Sequence, residues 1–199
     1  AVWKQQTLLA YNGMNSSADD QNKVAYCTVR GVKVAFVAFA DFSNTKLSNS
    51  YGVNIYHDTA LVQRLMSDAR ANADVVLVSA HWGTEDSSVV NADQRKTAQL
   101  LADSGATMVI GTGPHVTQPV VWLKSSDGRD VPVWYSIGNM LNSQLGIDGL
   151  TSGVAKGEIH ITDGKATVKK LAFAPTLMLY VWLAVDKAAY GLLARLVLT

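Results

Sequence analysis

Between residues 32 and 110, three short apolar runs, Val32–Phe39, Val75–Ser79 and Thr107–Ile110, are separated by two segments of helical periodicity. Val75–Ser79, a continuous apolar run without polar alternation, suits a strand buried on both faces, and Thr107–Ile110 is the buried strand that follows. Strand, helix, strand, helix, strand in that order builds a parallel sheet with right-handed crossovers. The first helix is capped by Asp58 or Thr59 and presents Leu61, Val62, Leu65, Met66 and Ala69 on one face. The second carries its own punctuation: Asn91 at the cap, Gln94 at the capping-box position, Ala98 and Leu101 on the inner face, and Gly105 as the stop.

The pattern changes on either side of this segment. Asn15–Asn22 reads as a loop, and Val24–Val29 forms a hairpin with Val32–Phe39 across Arg30–Gly31. Downstream, Gln118–Leu123 and Val131–Ser136 are strands joined by the turn Ser125–Asp130, and Val154–Thr162 pairs with Ala166–Ala174 around Asp163–Gly164. The second half therefore reads as antiparallel, and the whole as a mixed α/β sheet system with covering helices. From Leu177 to Thr199 only Asp186, Lys187 and Arg195 are charged. That stretch reads as a C-terminal helix apolar on all sides, appended to a domain over residues 1–176, and suits a partner interface. Membrane contact is the minor alternative, because Asp186 and Lys187 interrupt the apolar run in its middle.

Composition narrows the choice of partner. With 199 residues, 48% of them hydrophobic, the chain can bury one proper core. Its formal net charge is +1 with both signs interspersed, so it lacks the one-sided basic face that nucleic acid demands. A polyanion would have to be met by a local feature such as a metal ion. Cys27 is the sole cysteine, which excludes an intrachain disulfide and a thiolate cluster. The chain begins at Ala1 without a signal-peptide pattern, so an upstream segment was removed or the sequence is an internal piece of a longer protein.

In open α/β sheets ligands bind beyond the carboxyl ends of the strands. Val32–Phe39 is followed by Asp41 and Asn44; Val75–Ser79 by His81, Trp82, Gly83 and Glu85; Thr107–Ile110 by Gly111, Thr112, Gly113, Pro114 and His115. Val131–Ser136 runs back to the same edge and ends in Gly138–Asn139. One edge thus collects Asp41, His81, Glu85, His115 and Asn139. Imidazoles and carboxylates from separate strand ends suit Zn, Mn or Fe, provided an outer acceptor holds the second nitrogen of each histidine. Each element also has an ordinary reading: hydrogen-bonded loop histidines, a simple turn at Gly111–Pro114, solvated charges at Glu85 and Asp86, a cap at Asn139. Both readings stand on the residues alone. His57, which opens a helix, and His160, which alternates along a strand, read as structural.

The same stretches resemble a family. Val75–Glu85, VVLVSAHWGTE, is similar to the strand and His-Trp-Gly motif of the bacterial capsule-synthesis CapA (poly-γ-glutamate) family. Gln99–Pro119 resembles its helix, strand and Gly-x-x-Pro-His-Val loop, and Trp134–Met140, WYSIGNM, its Tyr-Ser-Ile-Gly-Asn segment. The resemblance runs in register from Val24 to about Pro175. It implies the C-terminal part of a metallophosphatase-like α/β/β/α sandwich, related to calcineurin-like phosphoesterases, in which two divalent ions are held by Asp, Asn and His residues at successive strand ends. Carried over, His81 and His115 are metal ligands and catalytic residues, while Trp82, Glu85, Ser136 and Asn139 line a substrate cleft. It also implies an extracytoplasmic place in the cell envelope.

The chain departs from the family pattern in two ways. Thr112 and Gly113 stand where the family often has histidines. No Gly-Asp strand end, Asn-Leu-Glu segment or Asn-Asn-His motif occurs, although these precede the matched part in the family and supply its remaining ligands and acid/base histidine. A fragment, a degenerate member, or a protein whose N-terminal half is a second chain would each account for this, and the last is the reading preferred here. Two functions follow as expectations. One is a metal-dependent hydrolase or transferase acting on poly-γ-glutamate or a related anionic polymer. The other is a non-catalytic envelope protein that binds polymer or a synthase partner. A generic phosphoesterase rests on superfamily analogy alone.

Overall fold

In the computed structural model, which describes residues 10–142, 144, 146–181 and 193–197, a short helix α1 (Ala18–Gln21) leads into the hairpin β1 (Ala25–Val29) and β2 (Val32–Ala40). Then follow α2 (Thr59–Asn72), β3 (Val75–His81), α3 (Ala92–Asp103) and β4 (Met108–Thr112). The predicted caps are in place. The Asp58 carboxylate accepts from the Leu61 N–H, and Asn91 and Gln94 form a complete reciprocal capping box.

Strands β5 (Thr117–Lys124) and β6 (Asp130–Ile137) complete a six-stranded sheet of order β1-β2-β3-β4-β6-β5. Here the structure corrects the sequence reading. β6 is antiparallel to β5 but parallel to β4, so the parallel block extends one strand further than expected. The physical reason is burial. Val131 to Ser136 are all buried, as an interior strand requires, whereas β5 alternates as an edge strand does.

One face of this sheet is covered by α2 and α3. Ala35, Val37 and Phe39 of β2 and Val76, Val78 and Ala80 of β3 meet Leu61, Leu65, Met66, Ala98 and Leu101 in a single buried cluster. The opposite face is met by a second sheet, β7 (Thr151–Thr162), β8 (Lys165–Val181) and β9 (Leu193–Val197), all antiparallel, entered through the short helix α4 (Ile147–Leu150). Trp134 of β6 stacks on Phe173 of β8 with ring centroids 5.4 Å apart. Helices, parallel-rich sheet and antiparallel sheet are three of the layers that a metallophosphatase-like sandwich calls for.

The expected apolar helix over Leu177–Thr199 does not form within the described residues. Leu177–Val181 completes β8, and Leu193–Val197 is β9; residues 182–192, 198 and 199 lie outside the described part. β8 therefore crosses the expected boundary at residue 176 without a break. The ladder explains why: the twelve-residue β7 pairs Thr151 with Leu177, and β9 continues the pairing from Leu177 to Val181. Among the described residues, no helix is long and apolar enough to cross a membrane.

Candidate functional site

The carboxyl ends of β2, β3, β4 and β6 lie along one rim because those four strands run parallel. Ala40 pairs with His81, and His81 with Thr112, which fixes the height of each strand end. Two further main-chain bonds lengthen the ladder beyond the strands: Asp41 N–H donates to the His81 carbonyl (2.8 Å) and Trp82 N–H to the Thr112 carbonyl (2.9 Å). Asp41, His81, Glu85 and His115 come within electrostatic reach of one another here. Burial lowers the His81 pKa below its ordinary value, the His115 imidazole lowers it further, and Asp41 and Glu85 pull it back up. With the net shift downward, His81 is neutral at pH 7 and its nitrogen lone pair is available.

Both histidines have one nitrogen occupied by a side-chain oxygen. His81 Nδ1 lies 3.3 Å from Thr112 Oγ1, and His115 Nδ1 lies 2.8 Å from Asn139 Oδ1. The Asn139 amide is oriented by its other end, whose Nδ2 donates to the His115 carbonyl (3.2 Å) and to Gln144 Oε1 (3.0 Å). Asn139 Oδ1 therefore accepts from an Nδ1–H on His115, which leaves Nε2 as the lone-pair nitrogen. The backbone of His115 is left-handed, φ 64°, an uncommon conformation for a histidine. Asn139 clasps the residue there through ring and carbonyl together.

Trp82 and Ser136 do not line a cleft. Trp82 is 1% exposed, and its indole N–H donates to the Tyr135 carbonyl (2.8 Å); Ser136 is also 1% exposed. Strand parity is the reason: His81 faces solvent, so its neighbour must face the core. Trp82 explains the glycines as well. A Cβ at Gly111 would collide with the Tyr135 carbonyl and stand 2.5 Å from the Trp82 indole nitrogen; one at Gly113, where φ is 118°, would collide with the Trp82 carbonyl. The close approach that glycine permits here is to Trp82 and β6, rather than to a ligand. Glu85 and Asn139 do face the rim, and a cleft of about 370 Å³ adjoins His115, lined by Asp86, Val116, Gln144, Gly146, Asp148 and Gly149.

From the sequence His57 reads as structural, whereas the fold carries it to the rim beside Asp41. Ala40 bridges in parallel to Ile55, which brings the Tyr56–His57 step to the end of β2. His57 Nε2 lies 2.6 Å from Asp41 Oδ1, and the Tyr56 hydroxyl donates to Asp93 Oδ2 of α3 (2.5 Å). Among the described residues, Asp41, His57 and Asp93 are the set of three ligand-type side chains whose donor atoms come within 4.8 Å of one another. No such set among the described residues includes His81 or His115.

His81 and His115 each have Nδ1 against a side-chain oxygen, Thr112 Oγ1 and Asn139 Oδ1, an arrangement that suits a ligating histidine. The sequence comparisons point to one family. Its profile, described as "Bacterial capsule synthesis protein PGA_cap", matches residues 2–144. The chain belongs to the PGA_cap family. Within it, the chain is 32% identical over 132 residues to "PGA biosynthesis protein CapA" of Bacillus subtilis (strain 168), an alignment covering 65% of this chain and 33% of that protein. To "Capsule biosynthesis protein CapA" of Bacillus anthracis it is 28% identical over 142 residues, covering 68% and 33%. The chain thus spans about a third of the length of these PGA_cap relatives. A hypothetical protein from Thermus thermophilus is similar in structure at TM-score 0.47 and 16% identity, over 76% of this chain and 60% of that one, too slight a likeness to bear on function.

Proposed function

We propose that this chain forms part of an extracytoplasmic capsule-biosynthesis protein, a metal-dependent hydrolase or transferase acting on poly-γ-glutamate or a related anionic polymer. One observation carries the reading: two imidazoles at a common strand-end rim, each with Nδ1 engaged by a neighbouring oxygen. His81 and His115 would hold Mn, Zn or Fe through Nε2, in a centre of one or two ions, with the remaining ligands supplied from outside these residues, on a second chain or another part of the same one. Such an ion polarises an ester or amide carbonyl and supplies a nucleophile from water at neutral pH. Thr112 and Asn139 hold the rings, and Asn139 also selects the tautomer of His115. Asn139 also holds His115 in its left-handed backbone, so the direction of Nε2 is set before any ion arrives. Asp86 and Asp148 make the adjoining cleft acidic, so an anionic polymer finds a favourable charge only at a bound cation.

Elemental analysis of the full-length protein tests this. Stoichiometric metal should be retained by the native protein and should fall in His115→Ala by the equivalents held at the His81–His115 pair, while the circular dichroism spectrum is kept. Equal metal content in both would end the assignment. A second reading, a non-catalytic polymer- or partner-binding protein, draws on the lack of a third donor joining His81 and His115 among the described residues. It requires a native protein that carries no metal yet still binds polymer.

A further inference from the structure

We propose that Asp41, His57 and Asp93 form a divalent-cation site of their own beside the His81–His115 pair, suited to Mn²⁺ or Zn²⁺. The three residues come from the end of β2, the loop before α2 and the first turn of α3. They are 16 and 36 residues apart along the chain (57 − 41 and 93 − 57), so their meeting is a product of the fold and not of local sequence. Their donor atoms lie within 4.8 Å of one another. Ligands at about 2.0–2.2 Å from one ion stand roughly 3 to 4.4 Å apart, so closure on a cation needs movements of only a few tenths of an ångström. One imidazole with two carboxylates is a mixed donor set, which suits Mn²⁺ and Zn²⁺ better than a purely oxygen-loving or sulfur-loving ion.

The surroundings hold this geometry open. Tyr56 is 2% exposed, and its hydroxyl donates to Asp93. The same ring packs against His57 at a centroid separation of 4.5 Å, and so positions both a carboxylate and the imidazole. His57 and Asp41 remain partly open to solvent, their side chains 54% and 26% exposed, which gives an ion a way in. Two carboxylates and an imidazole are thus held within 4.8 Å of one another, with Tyr56 keeping Asp93 in place.

The inference does not depend on His81 or His115 ligating metal, and the experiment separates the two. Mn²⁺ is titrated into metal-stripped full-length protein by calorimetry, with the free ion followed by electron paramagnetic resonance. Asp93→Asn, which keeps the side-chain volume, and His57→Ala should each weaken one class of Mn²⁺ site tenfold or more, since even outer-shell losses cost metal sites 10–100-fold. His115→Ala should leave that class intact. Thermal melts of the stripped proteins serve as the folding control, with Asp93→Asn expected to melt with the native protein. Unchanged Mn²⁺ affinity and stoichiometry in Asp93→Asn, or loss of all Mn²⁺ binding in His115→Ala, would overturn the proposal.

Discussion

Gln94 is completely buried at the third position of α3, and its two ends do different jobs. Its Oε1 accepts from the Asn91 N–H (3.0 Å), closing the capping box; its Nε2 donates to Gln118 Oε1 (2.7 Å). Gln118 in turn donates to the carbonyls of Ser87 and Val89, in the loop that leaves the rim after Glu85. Replacing Gln94 with Ala removes one helix-end hydrogen bond, worth about 1 kcal/mol, and strands the buried Gln118 oxygen, at about 2 kcal/mol. The expected loss is about 3 kcal/mol, which in a chain of this size lowers the melting midpoint by about 6–12 °C. Urea unfolding of native, Gln94→Ala, Gln118→Ala and the double variant gives the full cycle. Because the single variants each leave a partner unpaired, the double variant should fall short of the sum by about 1–2 kcal/mol. A Gln94→Ala loss under about 1 kcal/mol, or strict additivity, would refute the network as described.

Two further outcomes are expected. Asn139→Leu removes the acceptor at His115 Nδ1 and should lower metal affinity about 10–100-fold, whereas Asn139→Asp, which keeps an acceptor, should stay close to native; competition against a chromogenic chelator measures both. The Asp127 carboxylate is held below the usual carboxylate range, first by Arg129, whose Nε reaches both oxygens, then by Ser125, with Arg70 adding to the effect. A depressed folded-state pKa stabilises above the unfolded value and is lost as pH falls through the folded one, so stability should drop on acidification below about pH 4. Asp127→Asn should lower the melting midpoint at pH 7 and flatten that acid limb, and equal slopes for both proteins would contradict the assignment.

Much of the fold was legible because its signals are local. Asp58, Asn91 and Gln94 cap their helices through bonds spanning three residues, and the apolar runs of β2, β3 and β4 declare burial on both faces. The pairing of β6 with β4 was missed because β5 intervenes in sequence, although the unbroken burial from Val131 to Ser136 follows from an apolar run that could have disclosed it. At the site, His81 and His115 stood out in the sequence because one ends a strand and the other follows one closely. Trp82 was placed in the cleft by family resemblance alone, and strand parity next to the outward-facing His81 argues against it. His57 could not be found in the same way. Its place depends on the bridge between Ala40 and Ile55, a contact with no sequence signature.

The crowding around Trp82 also bears on how this chain can change over time. At Gly113 any side chain meets the tryptophan's carbonyl while the backbone already stands at φ 118°. A larger residue could not be introduced there by a single substitution; the strand end behind it would have to move first. Gly111 is hemmed in by the same tryptophan, so these positions can change only together.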